Sequence, residues 1–78
     1  MKLSIVIPAY NEVNTLPEVI RRTHALAVDK EILVVDDGST DGTAELLKSV
    51  ELPDLKAFFH PANRGKGASL RTAFQHVT

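Results

Sequence analysis

Apolar and polar residues alternate in blocks along this chain, and the blocks predict three strands that are each followed by a helix. Short runs of Val, Ile and Leu bounded by turn-forming residues are typical of strands, and apolar residues spaced three or four apart are typical of amphipathic helices. The predicted strands cover residues 3–7, 31–36 and 55–60, and the predicted helices cover residues 15–27, 41–50 and 66–77. The chain therefore has the order βαβαβα.

The second predicted strand decides the fold class. Its residues 32–35 are all apolar, which is the pattern of a strand covered by helices on both faces of a parallel sheet. Alternating strands and helices build such a sheet through right-handed crossovers, and the expected strand order is 3-2-1. We predict an α/β fold of three layers, a Rossmann-like half of a doubly wound domain. In such sheets a ligand binds beyond the carboxyl ends of the strands.

The last predicted helix has no stop signal. Residues 75–78 contain neither the glycine nor the proline that commonly ends a helix, and three strands make only half of a doubly wound sheet. We expect residues 1–78 to be one incomplete domain, the N-terminal piece of a longer protein.

Composition narrows the class of function. The 78 residues contain 9 Lys and Arg against 10 Asp and Glu, a formal net charge of -1, which argues against a nucleic-acid-binding module. The absence of cysteine excludes a disulfide framework and a thiolate metal site, and it is compatible with a reducing cytoplasm. No apolar run approaches the ~18 residues of a membrane-spanning helix.

Two adjacent carboxylates, Asp36 and Asp37, end the second predicted strand. Neighbouring side chains of a strand point to opposite faces, so one carboxylate can face the ligand crevice and accept hydrogen bonds from a base or a ribose. Gly38 permits a positive φ. The next residues are all good helix N-caps: Ser39, Thr40 and Asp41. The alternative interpretation is a capped turn with solvated acids.

The loop after the first strand offers an aromatic ring and a carboxylate. Pro8 ends the strand, Tyr10 has a flat face for a nucleobase, and Glu12 can accept a hydrogen bond from a ribose or a base. The alternative is a tyrosine that packs over the sheet edge and a glutamate that favours the positive end of the following helix. That helix starts with Thr15 and Glu18 in the spacing of a capping box.

The loop after the third strand is basic and rich in glycine. Glycines let backbone N–H groups approach an anion, and a helix N-terminus adds partial positive charge. Arg64 and Lys66 can therefore meet a diphosphate. The spacing of the glycines matches neither the P-loop nor the dinucleotide-binding pattern, and the alternative is a flexible loop with solvated bases.

The remaining polar residues indicate no further site. His24, His60 and His76 lack metal-ligand spacing, which argues against a zinc site. Ser39 has no neighbouring histidine and no nucleophile-elbow sequence, which argues against a hydrolase triad.

Taken in order, the three loops resemble the start of an inverting family 2 glycosyltransferase with the GT-A fold. The stretches that carry the likeness are residues 4–12, 32–43 and 63–71, and the likeness extends over essentially the whole chain. Within the family, the chain resembles the polyprenyl-phosphate (dolichyl-phosphate) mannose or glucose synthases. The second stretch is highly specific for the family, and the third lies at the right spacing from it.

The resemblance implies a nucleotide-sugar ligand, a GDP- or UDP-hexose. Asp37 is expected to contact the base, and Asp36 is the second candidate for this contact. Lys66 lies where the family has a basic residue near the nucleotide. The positions that match the family's nucleotide-sugar-binding residues are Pro8, Tyr10, Glu12, Val35, Asp36, Asp37 and Lys66. The implied acceptor is a polyprenyl (dolichyl) phosphate, and the implied location is the cytoplasm, at the cytoplasmic face of a membrane in the full-length protein.

The resemblance also implies what this segment lacks. The family holds Mg²⁺ or Mn²⁺ on the diphosphate with an Asp-x-Asp motif that follows the next strand, and no residues here match it. No metal ligand and no catalytic residue is therefore assigned. We expect the parent protein to transfer a hexose and these 78 residues alone to be inactive.

Two other functions are open at this point. A noncatalytic α/β module would associate with a protein, or with a second copy of itself, through the exposed edge of the sheet. Another nucleotide-binding α/β enzyme, such as a sugar nucleotidyltransferase, would need a glycine-rich phosphate loop after the first strand, and residues 8–12 contain no glycine.

Overall fold

The structure, a computed structural model, describes residues 2–77 and has the predicted order of elements. Its strands are β1 (Leu3–Ala9), β2 (Lys30–Asp37) and β3 (Leu55–His60), and its helices are α1 (Leu16–His24), α2 (Thr43–Ser49) and α3 (Lys66–Phe74). The strands agree with their predicted ranges to within two residues at each end. No helix within residues 2–77 is long and apolar enough to cross a bilayer.

The three strands form one parallel sheet in the order β1-β2-β3, which confirms the expected order. Ile5 of β1 aligns with Ile32 of β2, and Val35 of β2 aligns with Phe58 of β3. This parallel register brings the carboxyl ends of all three strands to one edge of the sheet, with Asp37 beside His60.

The core lies on both faces of β2. On one face, Ile32 and Val34 pack with α1 and α2, whose buried side chains there are Leu16, Ile20 and Leu47. On the other face, Leu33 and Val35 pack with Ala73 of α3. Because all four apolar residues of β2 are fully buried, the strand is covered by helices above and below, and the fold is the predicted three-layer α/β arrangement.

Two helices, α1 and α3, end three residues before their predicted limits. α1 ends at His24 rather than at residue 27, and α3 ends at Phe74 rather than at residue 77. The apolar residues that extended the two patterns do not face the core, since Leu26 is 50% and Val77 is 43% exposed. Without burial, an apolar residue at helical spacing does not hold the last turn of a helix in place.

The predicted capping box of α1 does not form. Thr15 donates its hydroxyl to the Glu12 carboxylate at 2.8 Å, and the Glu18 carboxylate instead accepts hydrogen bonds from Arg21 and Arg22. The prediction was wrong because each partner has a stronger local alternative: an acceptor three residues earlier for the threonine, and two guanidinium groups one turn later for the glutamate.

Candidate functional site

A cleft of about 300 Å³ lies at the carboxyl edge of the sheet. The carboxyl ends of β1 and β2 and the loops that follow β1 and β3 contribute to its wall, together with the first turn of α3. The lining residues are Pro8, Ala9, Tyr10, Glu12, Asp37, Asn63, Gly65, Lys66 and Ser69. The cleft therefore combines an aromatic ring, two carboxylates and a lysine on one concave surface.

The loop after β1 is held by the loop after β2. Asn11 has a φ of 52°, a left-handed conformation that asparagine tolerates better than most residues. Its side-chain Oδ1 accepts from the backbone N–H of Thr40 at 2.8 Å, and its own N–H donates to the Ser39 hydroxyl at 2.9 Å. These bonds fix the turn that carries Tyr10, a residue that is 45% exposed and lines the cleft.

The start of α2 also holds the first loop. The fully buried hydroxyl of Thr43 accepts from the backbone N–H of Glu12 at 3.1 Å and donates to the Asp41 carboxylate. The other oxygen of Asp41 accepts from the backbone N–H of Val13 at 3.2 Å. The hydrogen bond from the Thr43 hydroxyl, together with those from backbone N–H groups, keeps the pKa of Asp41 below its ordinary value.

Asp37 is the carboxylate at the floor of the cleft, and it is 4% exposed. Its Oδ1 accepts from the Nδ1–H of His60 at 2.8 Å and from the backbone N–H of Arg64 at 2.9 Å. Its Oδ2 accepts from the backbone N–H of Gly65 at 2.9 Å. The carboxylate thus joins the end of β2 to the end of β3 and to the loop that leads into α3.

The environment of Asp37 keeps this carboxyl ionised at neutral pH. Burial on its own raises the pKa of Asp37, because a charge loses its hydration there. The hydrogen bonds from His60, Arg64 and Gly65, with the electrostatic attraction of His60, outweigh burial and bring the pKa below its ordinary value. The cleft therefore presents a negative charge at its floor and the ammonium group of Lys66 on its wall.

The loop after β3 lies directly against the end of β2. A Cβ placed on Gly38, which has a φ of +74°, would meet the backbone carbonyl carbon of Ala62 at 2.5 Å and the nitrogen of Asn63 at 2.6 Å. Only glycine permits this approach. The Asn63 side chain then accepts from the Gly65 N–H at 3.1 Å, and the chain enters α3 at Lys66.

Most of the sequence-predicted binding residues meet in this cleft. They are Pro8, Tyr10, Glu12, Asp37 and Lys66. Val35 and Asp36 do not line it. Val35 is fully buried in the core beneath α3, and Asp36, which is 2% exposed, occupies the alternate position on β2 and so points to the opposite face of the sheet. The Asp36 Oδ1 has no hydrogen-bond partner within residues 2–77.

Sequence reasoning missed the residues that hold the site together. Asn11, Thr43, His60 and Thr72 each bond across to another element. A signal was present for His60 alone, since it is the last residue of a predicted strand, as Asp36 is. The predicted N-caps Ser39 and Thr40 bond to Asn11 instead, and Asp41 accepts from the first N–H of α2, that of Thr43, at 3.1 Å.

The described residues do not assemble a metal centre. No group of three or more His, Cys, Asp or Glu side chains within residues 2–77 could hold a metal ion. The Mg²⁺ or Mn²⁺ implied by the resemblance therefore has no fitting set of ligands in this part of the chain.

Comparisons with known proteins identify the family and the fold of this chain. Residues 4–78 match the family described as Glycosyl transferase family 2. The chain belongs to this family. It is 45% identical, over 99% of its own length, to an undecaprenyl-phosphate 4-deoxy-4-formamido-L-arabinose transferase of Enterobacter sp. (strain 638). Its fold matches that of a mannosyltransferase from Pyrobaculum calidifontis, solved in complex with GDP-Man and Mn²⁺, with a TM-score of 0.88 and 30% identity over 97% of the chain.

The family 2 chain described here spans about a quarter of each of these relatives. It covers 26% of the arabinose transferase and 24% of the mannosyltransferase. The family and the GT-A fold implied by the three loops are confirmed. The family match also argues against the sugar nucleotidyltransferase alternative.

Proposed function

We propose that this segment binds the nucleotide-sugar donor, a GDP- or UDP-hexose, of a glycosyltransferase whose acceptor is a polyprenyl (dolichyl) phosphate. The observation that carries the proposal is the cleft itself. One concave surface at the carboxyl edge of a parallel sheet brings together the ring of Tyr10, the carboxylates of Glu12 and Asp37, and the ammonium group of Lys66.

The chemistry of the lining suits the parts of a nucleotide sugar. The exposed face of Tyr10 can stack on a base, and the ionised Asp37 can accept a hydrogen bond from a base or ribose donor. Lys66 lies at the first residue of α3, where its charge adds to the partial positive charge of the helix N-terminus and favours a diphosphate. Two further findings support the proposal: the mannosyltransferase neighbour holds GDP-Man, and the arabinose transferase is named for an undecaprenyl phosphate.

Binding of the donor, and not sugar transfer, is the activity proposed for residues 1–78 by themselves. The described residues offer no set of ligands for the metal that the family places on the diphosphate, and the cleft contains no group to which a catalytic step is assigned. A lipid-phosphate acceptor implies that the whole protein works at a membrane, and the resemblance implies its cytoplasmic face. Fractionation of cells that express the protein would test the association with the membrane.

A titration followed by ¹⁵N–¹H correlation spectra tests the proposal. The protein is titrated with GDP-mannose and then with UDP-glucose, each with Mg²⁺. We expect the backbone signals of Tyr10, Asp37 and Lys66 to shift, and the nucleotide that binds more tightly identifies the base. Since the chain has 1 Tyr, selective ¹⁵N-labelling of tyrosine identifies the backbone signal of Tyr10. A dispersed spectrum that ignores both nucleotides would favour the noncatalytic module instead.

Two matched lysine substitutions distinguish the effect of a charge in the cleft from the effect of the protein's net charge. Lys66→Gln removes the charge on the cleft wall, and Lys56→Gln removes one from an exposed position on β3. Because a hydrogen bond to a charged group contributes about 1.5–3 kcal/mol, we expect Lys66→Gln to weaken nucleotide binding about tenfold or more. Lys56→Gln should bind as the unaltered protein does, and equal weakening by both substitutions would contradict the proposed position of the diphosphate.

A further inference from the structure

His60 is a buried titratable group to which the proposed donor site assigns no role. Its side chain is 7% exposed. The Nδ1 atom lies 2.8 Å from Asp37 Oδ1, and Nε2 lies 2.8 Å from the hydroxyl of Thr72 on α3. With both ring nitrogens engaged, the imidazole cannot rotate without breaking one buried and one partly buried hydrogen bond.

The proton positions on this triad follow from the chemistry of its members. An ionised carboxylate only accepts hydrogen bonds, so the Nδ1 of His60 carries the proton that Asp37 receives. The Thr72 hydroxyl can either donate to a neutral Nε2 or accept from a protonated one. The bond between His60 and Asp37 therefore persists in both protonation states of the ring.

The same carboxylate holds the entry to α3. Asp37 accepts from the backbone N–H groups of Arg64 and Gly65, both at 2.9 Å, and the next residue, Lys66, is the first of the helix and lines the cleft. A chain of hydrogen bonds thus runs from Thr72, late in α3, through His60 and Asp37, and returns to the beginning of the same helix. Both ends of α3 are tied to one carboxylate.

We propose that His60 and Thr72 are positioning residues of the donor site, which hold the Asp37 carboxylate in the orientation that fixes the start of α3 and the place of Lys66. The identity of the ligand rests on the proposed function. The claim that His60 and Thr72 orient the Asp37 carboxylate does not depend on that function. Thr72 acts only through His60, and His60 acts only through Asp37.

Substitutions of Thr72 and His60 test whether Thr72 acts on the donor site through His60. Thr72→Val removes the hydroxyl with little change of shape, and His60→Asn keeps an N–H donor near the place of Nδ1 but loses the partner of Thr72. Thr23→Val is the matched control, because the Thr23 hydroxyl donates to the Val19 carbonyl within α1 and, among residues 2–77, does not join the hydrogen bonds around Asp37. UDP and GDP serve as the probes, and affinities are measured by the same spectra.

We expect Thr72→Val to weaken binding of the preferred nucleotide about fivefold, the effect of losing one hydrogen bond, and to shift the amide signals of Arg64 and Gly65. In the His60→Asn background the same substitution should have almost no further effect, because coupled residues are not additive. Additive losses, or a Thr72→Val protein indistinguishable from the Thr23→Val control, would overturn the proposal.

A measurement made without nucleotide tests the positioning role of His60 and Thr72 separately from the proposed nucleotide binding. The charged and titratable groups around the Asp37 carboxyl are His60 from β3, Glu12 and Lys66 across the cleft, and Asp36 on the other face of β2. The pKa of the Asp37 carboxyl, followed through its ¹³C signal, should rise in both variants. If the unaltered protein binds neither nucleotide, the proposed function fails, while an unchanged Asp37 pKa and unchanged Arg64 and Gly65 signals in the variants would reject the positioning role.

Discussion

The backbone N–H of Thr40 donates to the side-chain Oδ1 of Asn11 at 2.8 Å, across 29 positions of sequence. It is one of several hydrogen bonds by which residues 39–43, after the end of β2, hold the loop that follows β1. Ser39, Asp41 and Thr43 all bond to that loop. The hydroxyl-rich segment therefore shapes the cleft without lining it.

Substitutions at Asn11 should separate its backbone conformation from its side-chain bond. Asn11→Gly and Asn11→Ala both lose the bond to Thr40, but only alanine is strained at a φ of 52°. We expect the alanine variant to have a free energy of unfolding about 1 kcal/mol lower than that of the glycine variant, measured by urea denaturation. Equal stability of the two variants would show that the left-handed conformation at this position is not maintained.

The hydroxyl of Thr43 should matter more than its methyl group. Thr43→Val leaves the backbone N–H of Glu12 without its acceptor in a partly buried place, which costs about 1–3 kcal/mol. Thr43→Ser keeps the hydroxyl and loses one methyl group, at a cost of about 0.8 kcal/mol. Urea denaturation of the two variants measures the difference in their free energy of unfolding. A valine variant as stable as the serine variant would show that the Thr43 hydroxyl does not hold the first loop.

Two glycines in the same loop should differ sharply in their tolerance of alanine. At Gly42, with a φ of +97°, the nearest atom to a new Cβ is Val13 Cγ2 at 3.7 Å, so only the backbone strain of about 1–2 kcal/mol applies. At Gly38 the Cβ also meets the backbone of Ala62 at 2.5 Å. We expect Gly38→Ala to lower the urea midpoint well beyond Gly42→Ala and to displace the signals of residues 62–66, whereas similar spectra for both would place the third loop elsewhere.

Stability should fall in acid as Asp37, at the end of β2, and Asp41, in the loop that follows it, take up protons. The pKa values of Asp37 and Asp41 are lowered from 3.8 in the folded protein, so the unfolded chain takes up protons first as the pH falls. Their contribution to the free energy of unfolding is fully present above pH 3.8 and is lost as the pH falls through the lower, folded values.

Asp41→Asn tests this linkage outside the cleft. We expect this variant to be less stable at neutral pH and to show a shallower decline in acid, measured by urea denaturation at a series of pH values. Asp29→Asn, an exposed position just before β2, controls for the loss of one negative charge. A decline in Asp41→Asn as steep as in the unaltered protein would mean that its carboxylate does not hold these bonds.

The fold was predictable because its signals are local. The continuous apolar run of β2 and the alternation of strands and helices determine a parallel sheet, and the carboxyl-edge rule then places the ligand loops together. Helix ends were less predictable, because whether Leu26 or Val77 faces the core depends on packing between elements rather than on spacing.

The site was predictable only in its lining. Tyr10, Asp37 and Lys66 stand out in the sequence because they interrupt apolar patterns where strands end or helices begin. Asn11 and Thr72 give no such signal, since their partners lie 29 and 12 positions away. Long-range hydrogen bonds of this kind become visible only when the register of the sheet is known.

The four consecutive apolar residues of β2, residues 32–35, do not by themselves fix the alignment of the strand. Sliding the strand by one residue exchanges the two faces of the sheet, yet residues 32–35 would still present apolar side chains to both layers of helices. The correct alignment is selected by polar pairs at the two ends of the strand: Ser4 with Glu31 at 3.1 Å, and His60 with Asp37 at 2.8 Å. A substitution at position 37 therefore also removes one of the two contacts that align the central strand.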